Sequence, residues 1–70
     1  MTPTQRTQAL IAKAETIIAS ITTSSPAWLQ GSANRLRQAL RDRSAAQLEA
    51  ADMLHERDAA IQSAFASLAA

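Results

Sequence analysis

The chain has no cysteine, one glycine, two prolines and two aromatic residues, Trp28 and Phe65. Without cysteine no disulfide staples the fold, and a structural zinc site is excluded because His55 stands alone among the usual nitrogen and sulfur ligands. One glycine cannot make a Gly-rich phosphate loop. The longest apolar runs, such as Leu10-Ile11-Ala12 and Ala59-Ala60-Ile61, fall far short of a membrane span of roughly 20 residues or of a signal-peptide core. A soluble, cytosolic chain is expected. β-branched and aromatic runs are missing too, and no stretch alternates with the period of a strand.

What the chain does have is 17 alanines with many Gln, Arg and Leu, residues near the top of the helix scale. The expectation is an all-α fold, either a helical hairpin or a three-helix unit, in one domain over residues 1–70. Beyond Met1 there are 15 large apolar side chains in 70 residues. A chain this short buries a small fraction of its surface, so a homodimeric helical bundle is expected on stability grounds.

Thr2-Pro3-Thr4-Gln5 announces the first helix, with Thr2 as N-cap, Pro3 at the first position and Gln5 closing a capping box. Leu10, Ile11, Ala14, Ile17, Ile18 and Ile21 then recur on one face. Helix 1 is placed at about 3–22. The Thr22–Ser25 run ends it, and Ser25-Pro26 starts the second at 26–42, with Gly31-Ser32 a possible interruption. Leu29, Ala33, Leu36 and Leu40 continue the core stripe, and Trp28 sits at its edge. After Leu40 the stripe meets Arg43, and Ser44-Ala45-Ala46-Gln47 repeats the capping signature. A break near Arg43 and a third helix over 45–68 are favoured against one helix running from about 32 to 68. On that helix Ala51, Leu54, Ile61, Phe65 and Leu68 form the expected apolar stripe, with Leu48 and Met53 off it. Asp58 lies close to the stripe and needs an arginine partner or an interface edge.

Charge is distributed unevenly along this frame. Residues 32–43 carry Arg35, Arg37, Arg41 and Arg43 against Asp42, while residues 44–70 carry Glu49, Asp52, Glu56 and Asp58 against Arg57. A basic middle precedes an acidic end. His55, the one neutral-pH base, has Asp52 and Asp58 three residues to either side, but such clusters are ordinarily solvated charge pairs on a helix face. No catalytic, cofactor or metal residue is therefore assigned. The candidate partner-binding residues are Arg35, Arg37, Arg41 and Trp28, because Arg and Trp are favoured interface anchors. The competing bland reading is that the basic middle neutralises the acidic end within a hairpin or dimer.

DNA binding by the Arg35–Arg43 stretch is the alternative function. Against it stand a whole-chain charge of +1, an acidic third helix and arginines spread around the second helix rather than along one edge.

The run M-T-P-T-Q-R-T-Q-A-L-I-A-K-A-E-T-I-I-A-S-I followed by S-S-P-A-W-L-Q-G-S-A-N-R-L-R-Q resembles the small accessory proteins of temperate phages. In particular it looks like the phage-encoded quorum-sensing anti-activators. The likeness extends over the full length and rests on size, composition and overall pattern; no motif and no binding residue is carried over from it. It implies a tiny helical homodimer in the host cytoplasm. Such a protein inhibits host proteins by occlusion: a LuxR-type transcription activator and the assembly ATPase of type IV pili.

Overall fold

The first helix begins where its sequence directs. In the computed structural model, which describes residues 2–69, the Gln5 N–H donates to Thr2 Oγ1 at 3.2 Å and the Thr2 N–H donates to Gln5 Oε1 at 3.0 Å. This reciprocal box opens α1 (Pro3–Ser20). Two further helices follow, α2 (Ala27–Asp42) and α3 (Ala45–Ala69), with no strand among the described residues.

α1 ends two residues earlier than expected because the hydroxyl run folds on itself. The Thr22 N–H donates to Ser25 Oγ at 2.9 Å, the Ser24 N–H to Thr22 Oγ1 at 3.2 Å and the Ser25 N–H to Thr22 O at 3.0 Å. Ser25 is thereby engaged in the turn and does not cap α2. The N-cap of α2 is Pro26, without a side-chain hydrogen bond. Gly31-Ser32 does not interrupt the helix; one glycine costs a helix interior about 1 kcal/mol, which packing readily offsets.

The break between α2 and α3 falls where the core stripe meets Arg43, which adopts the left-handed conformation at φ 51 and ψ 37. The Arg43 N–H donates to Leu40 O at 3.3 Å and the Ser44 N–H to Ala39 O at 3.4 Å, the paired bonds of a Schellman ending. Ser44 then starts α3: its Oγ accepts from the Gln47 N–H at 3.2 Å and its carbonyl from the Leu48 N–H at 3.0 Å. Two residues thus turn the chain back on itself.

Ala14, Leu36, Ala39, Leu48 and Ala51 form the buried core, with Leu10, Ile11, Ile17, Ile18 and Leu40 packed around it. Three of its five members are alanines, so the helices approach closely over a small enclosed volume. The expected stripe on α3 is corrected here. Leu48, read as off the stripe, is buried, whereas Ile61, Phe65 and Leu68 are 42%, 61% and 83% exposed. The physical reason is length. α1 and α2 cover only the first part of α3, and residues 60–69 are exposed throughout, forming an arm about 15 Å long at 1.5 Å per residue.

Candidate functional site

Trp28 and Ser32 lie four residues apart on α2 and so share one face. α3 brings His55 to both of them. The indole and imidazole rings stack with centroids 5.9 Å apart and planes inclined at 29°, and His55 Nδ1 is 2.6 Å from Ser32 Oγ. Ser32 is 1% exposed. A serine within hydrogen-bond reach of a histidine has the connectivity of a nucleophile and its base. Here the hydroxyl is shut away from solvent and offers no face to a substrate. The carboxylates flanking His55 in sequence serve other groups: Asp52 faces Lys13, and Asp58 faces Arg35 and Arg57. The arrangement is a polar pin between α2 and α3.

Arg35 belongs to the same seam. Its Nη2 lies 3.4 Å from Asp58 Oδ2, and Arg57 Nη2 lies 3.3 Å from Asp58 Oδ1. The arginine partner that Asp58 needs is thus supplied twice. The remaining acids of α3 turn toward α1, where Arg6 pairs with Glu49, and Lys13 Nζ lies 3.0 Å from Asp52 Oδ1 and 2.9 Å from Glu56 Oε1. The hydrogen bond to Glu56, and after it Asp52, raises the Lys13 pKa above its ordinary 10.5, while the Lys13 ammonium lowers the Glu56 carboxyl below its ordinary 4.5. Neutralisation of the acidic end is therefore shared between α2 and α1.

Arg37 and Arg41 stand apart from this network. Both are exposed on the outer face of α2, where Arg37 Nη1 donates to Asn34 Oδ1 at 3.3 Å and Arg41 Nη2 to Gln38 Oε1 at 2.7 Å. Gln38 Nε2 in turn donates to both Asp42 oxygens at 3.1 Å. Neither arginine forms an ion pair among the described residues. The four candidate residues accordingly divide into two pairs: Trp28 and Arg35 at the α2–α3 seam, Arg37 and Arg41 facing solvent.

A groove of about 490 Å³ opens between α1 and the α2–α3 turn, floored by Ile11, Leu40 and Leu48 and edged by Glu15 and Arg43. Among the described residues no three His, Asp or Glu side chains converge as metal ligands. No helix of the described residues is long and apolar enough to cross a membrane.

The Trp28–His55–Ser32 cluster was missed by sequence reasoning. Its one signal was Ser32 itself, a hydroxyl set four residues before Leu36 on the buried face, where it requires a partner. What fold and surface define together is a small all-α protein of three helices with a basic outer face on α2 and an apolar arm on α3. No known protein family, curated protein or solved structure matches the chain.

Proposed function

We propose that this chain is a non-enzymatic binding protein that inhibits its partner by covering a surface, as the phage anti-activators it resembles do. The observation that carries the reading is the outer face of α2, where Arg37 and Arg41 project with polar neighbours and no acidic side chain pairs with them. The other basic groups divide differently: Arg6, Lys13, Arg35 and Arg57 are tied to acids of α3. An arginine held by a neutral amide keeps its guanidinium available for a bidentate carboxylate contact, the geometry arginine favours at interfaces. The matching surface is an acidic patch on a protein, and the partner classes implied by the resemblance are a LuxR-type activator and the pilus assembly ATPase. Trp28 and Arg35 support this face by fixing α2 against α3.

The test is a gel shift in which a LuxR-type activator and its operator are titrated with this protein. Stoichiometric loss of operator binding is the expected result; undisturbed binding at excess inhibitor refutes the activator as target. Replacing Arg37 and Arg41 together by Glu leaves helicity unchanged and weakens partner binding by at least about tenfold, since a carboxylate facing a carboxylate loses the pair and adds repulsion. Survival of binding in that variant moves the recognition surface elsewhere.

The same two arginines, with the exposed Arg43, also suit phosphates, which keeps DNA binding as the second reading. Three phosphate contacts give a slope of about −3 in log affinity against log salt. Failure of the purified protein to retard duplex DNA at low salt eliminates it.

A further inference from the structure

Most charged side chains of this molecule have a partner within it, and the two that do not lie on one groove. Arg6 pairs with Glu49, Lys13 with Asp52 and Glu56, and Arg35 and Arg57 with Asp58. Arg37, Arg41 and Asp42 are held by neighbouring side-chain amides. Among the described residues that leaves Glu15 and Arg43, which do not pair with each other either. Both are exposed, and both edge the groove of about 490 Å³ floored by Ile11, Leu40 and Leu48.

Thr7, Ile11 and Glu15 follow one another at four-residue steps on α1, so they form one wall two turns, about 12 Å, long. Thr7 and Ala45 together also line a second hollow of about 300 Å³, which places the α2–α3 turn, and with it Arg43, at the Thr7 end. Glu15 marks the other end. The groove is thus apolar in its middle, basic at one end and acidic at the other.

We infer that this groove seats an amphipathic helix of another protein, with an aliphatic side chain against Ile11, Leu40 and Leu48, a carboxylate at Arg43 and a Lys or Arg at Glu15. Two turns of groove set those three side chains at about i, i+4 and i+8 of the occupant. A helix suits the site better than an extended segment, because the walls are helices whose main chains are bonded internally and offer an extended backbone almost no partners. An uncharged apolar ligand uses neither end. α3 carries the required spacing itself as Glu49, Met53 and Arg57, but Glu49 is tied to Arg6 and Arg57 to Asp58, so the occupant is a different protein. The outer face of α2 takes no part, and the inference does not rest on the reading of Arg37 and Arg41.

The probe is a fluorescein-labelled, alanine-rich helix of about 20 residues with Glu, Leu and Lys at i, i+4 and i+8, titrated with the full chain at low salt and followed by anisotropy. Saturable binding at or below about 1 mM is expected. Exchanging the peptide's Leu for Ala should weaken it by roughly 10- to 100-fold, and reversing either of its charges by roughly two- to tenfold, the latter effect fading at high salt. Absence of saturation, or indifference to the Leu, overturns the inference. On the protein side the readout is a change of preference. Glu15→Lys should bind a peptide with Glu at both ends better than the one with Glu and Lys, whereas Arg43→Gly, which keeps the left-handed turn, should bind a peptide with Lys at both ends as well as the one with Glu and Lys. Replacing Arg37 and Arg41 by Glu should leave the ranking of the peptides unchanged. A ranking that ignores Glu15 and Arg43, or that follows Arg37 and Arg41, places the contact elsewhere and overturns the inference. Should a variant fold poorly by circular dichroism, the peptide series on the unaltered chain still decides.

Discussion

The polar pin between α2 and α3 allows a quantitative test by a double-mutant cycle on Ser32 and His55. Ser32→Ala removes a hydrogen bond with a net contribution of about 0.5–1.5 kcal/mol, but alanine returns part of that through its better helix propensity. His55 is half-buried and can turn to water, so the single change costs about 0–1 kcal/mol. His55→Ala is different in kind. It strands the Ser32 hydroxyl at 1% exposure, costing about 1–3 kcal/mol, and forfeits the Trp28 stacking at 5.9 Å, worth about 0.5–1.5 kcal/mol. With Ser32 already alanine, the same His55 truncation forfeits only the stacking. The two changes should therefore fall short of additivity by about 1–2 kcal/mol. Out of a total stability of about 3.5–10 kcal/mol for 70 residues, that is a large effect. Urea melts followed by circular dichroism and by Trp28 fluorescence, at one fixed protein concentration, supply the four values. Additivity within about 0.5 kcal/mol means that the buried hydroxyl does not depend on the imidazole, and refutes the pin.

Leu36→Ala, at a fully buried site in the core, should cost about 2–5 kcal/mol and leave the protein largely unfolded at 37 °C, read from the urea midpoint. Arg43→Gly should add about 1 kcal/mol, because glycine adopts the left-handed angles of this turn without a Cβ penalty; a fall in the urea midpoint would contradict the Schellman assignment. Lys13→Met should reveal the pH window of the α1–α3 tie. Glu56 has a lowered pKa, so its contribution is complete above its ordinary 4.5 and vanishes as pH falls through the folded value. Lys13 has a raised pKa, so its contribution is complete below 10.5 and vanishes as pH rises through the folded value. The stability difference between wild type and Lys13→Met should thus be flat between those limits and shrink outside them; a difference that is unchanged well below pH 4.5 argues against the tie.

Where local chemistry decided the structure, the sequence was readable. Thr2-Pro3-Gln5 opened α1 as their hydrogen-bonding capacity requires, Arg43 and Ser44 broke the chain, and Asp58 found its arginine partner. Where rival partners or distant packing decided, it was not. Ser25 had two possible uses, and the turn with Thr22 took its hydroxyl before α2 did. On α3, Ile61, Phe65 and Leu68 carry the same periodicity as core residues, and periodicity cannot say that α1 and α2 are too short to cover them. Arg35, Arg37 and Arg41 looked alike in sequence. Only the packing of α2 on α3 separates Arg35, bound to Asp58, from the two that face solvent.

The two-residue turn at Arg43-Ser44 also bears on the order in which the protein assembles. α2 and α3 are neighbours in the chain and pack most extensively of the three helix pairs, so their hairpin closes through short loops at little entropic cost. α1 is different, because the acids it needs, Glu49, Asp52 and Glu56, are made late. Within this chain the charged ties of α1 can therefore form only after the first half of α3, through Glu56, has followed it.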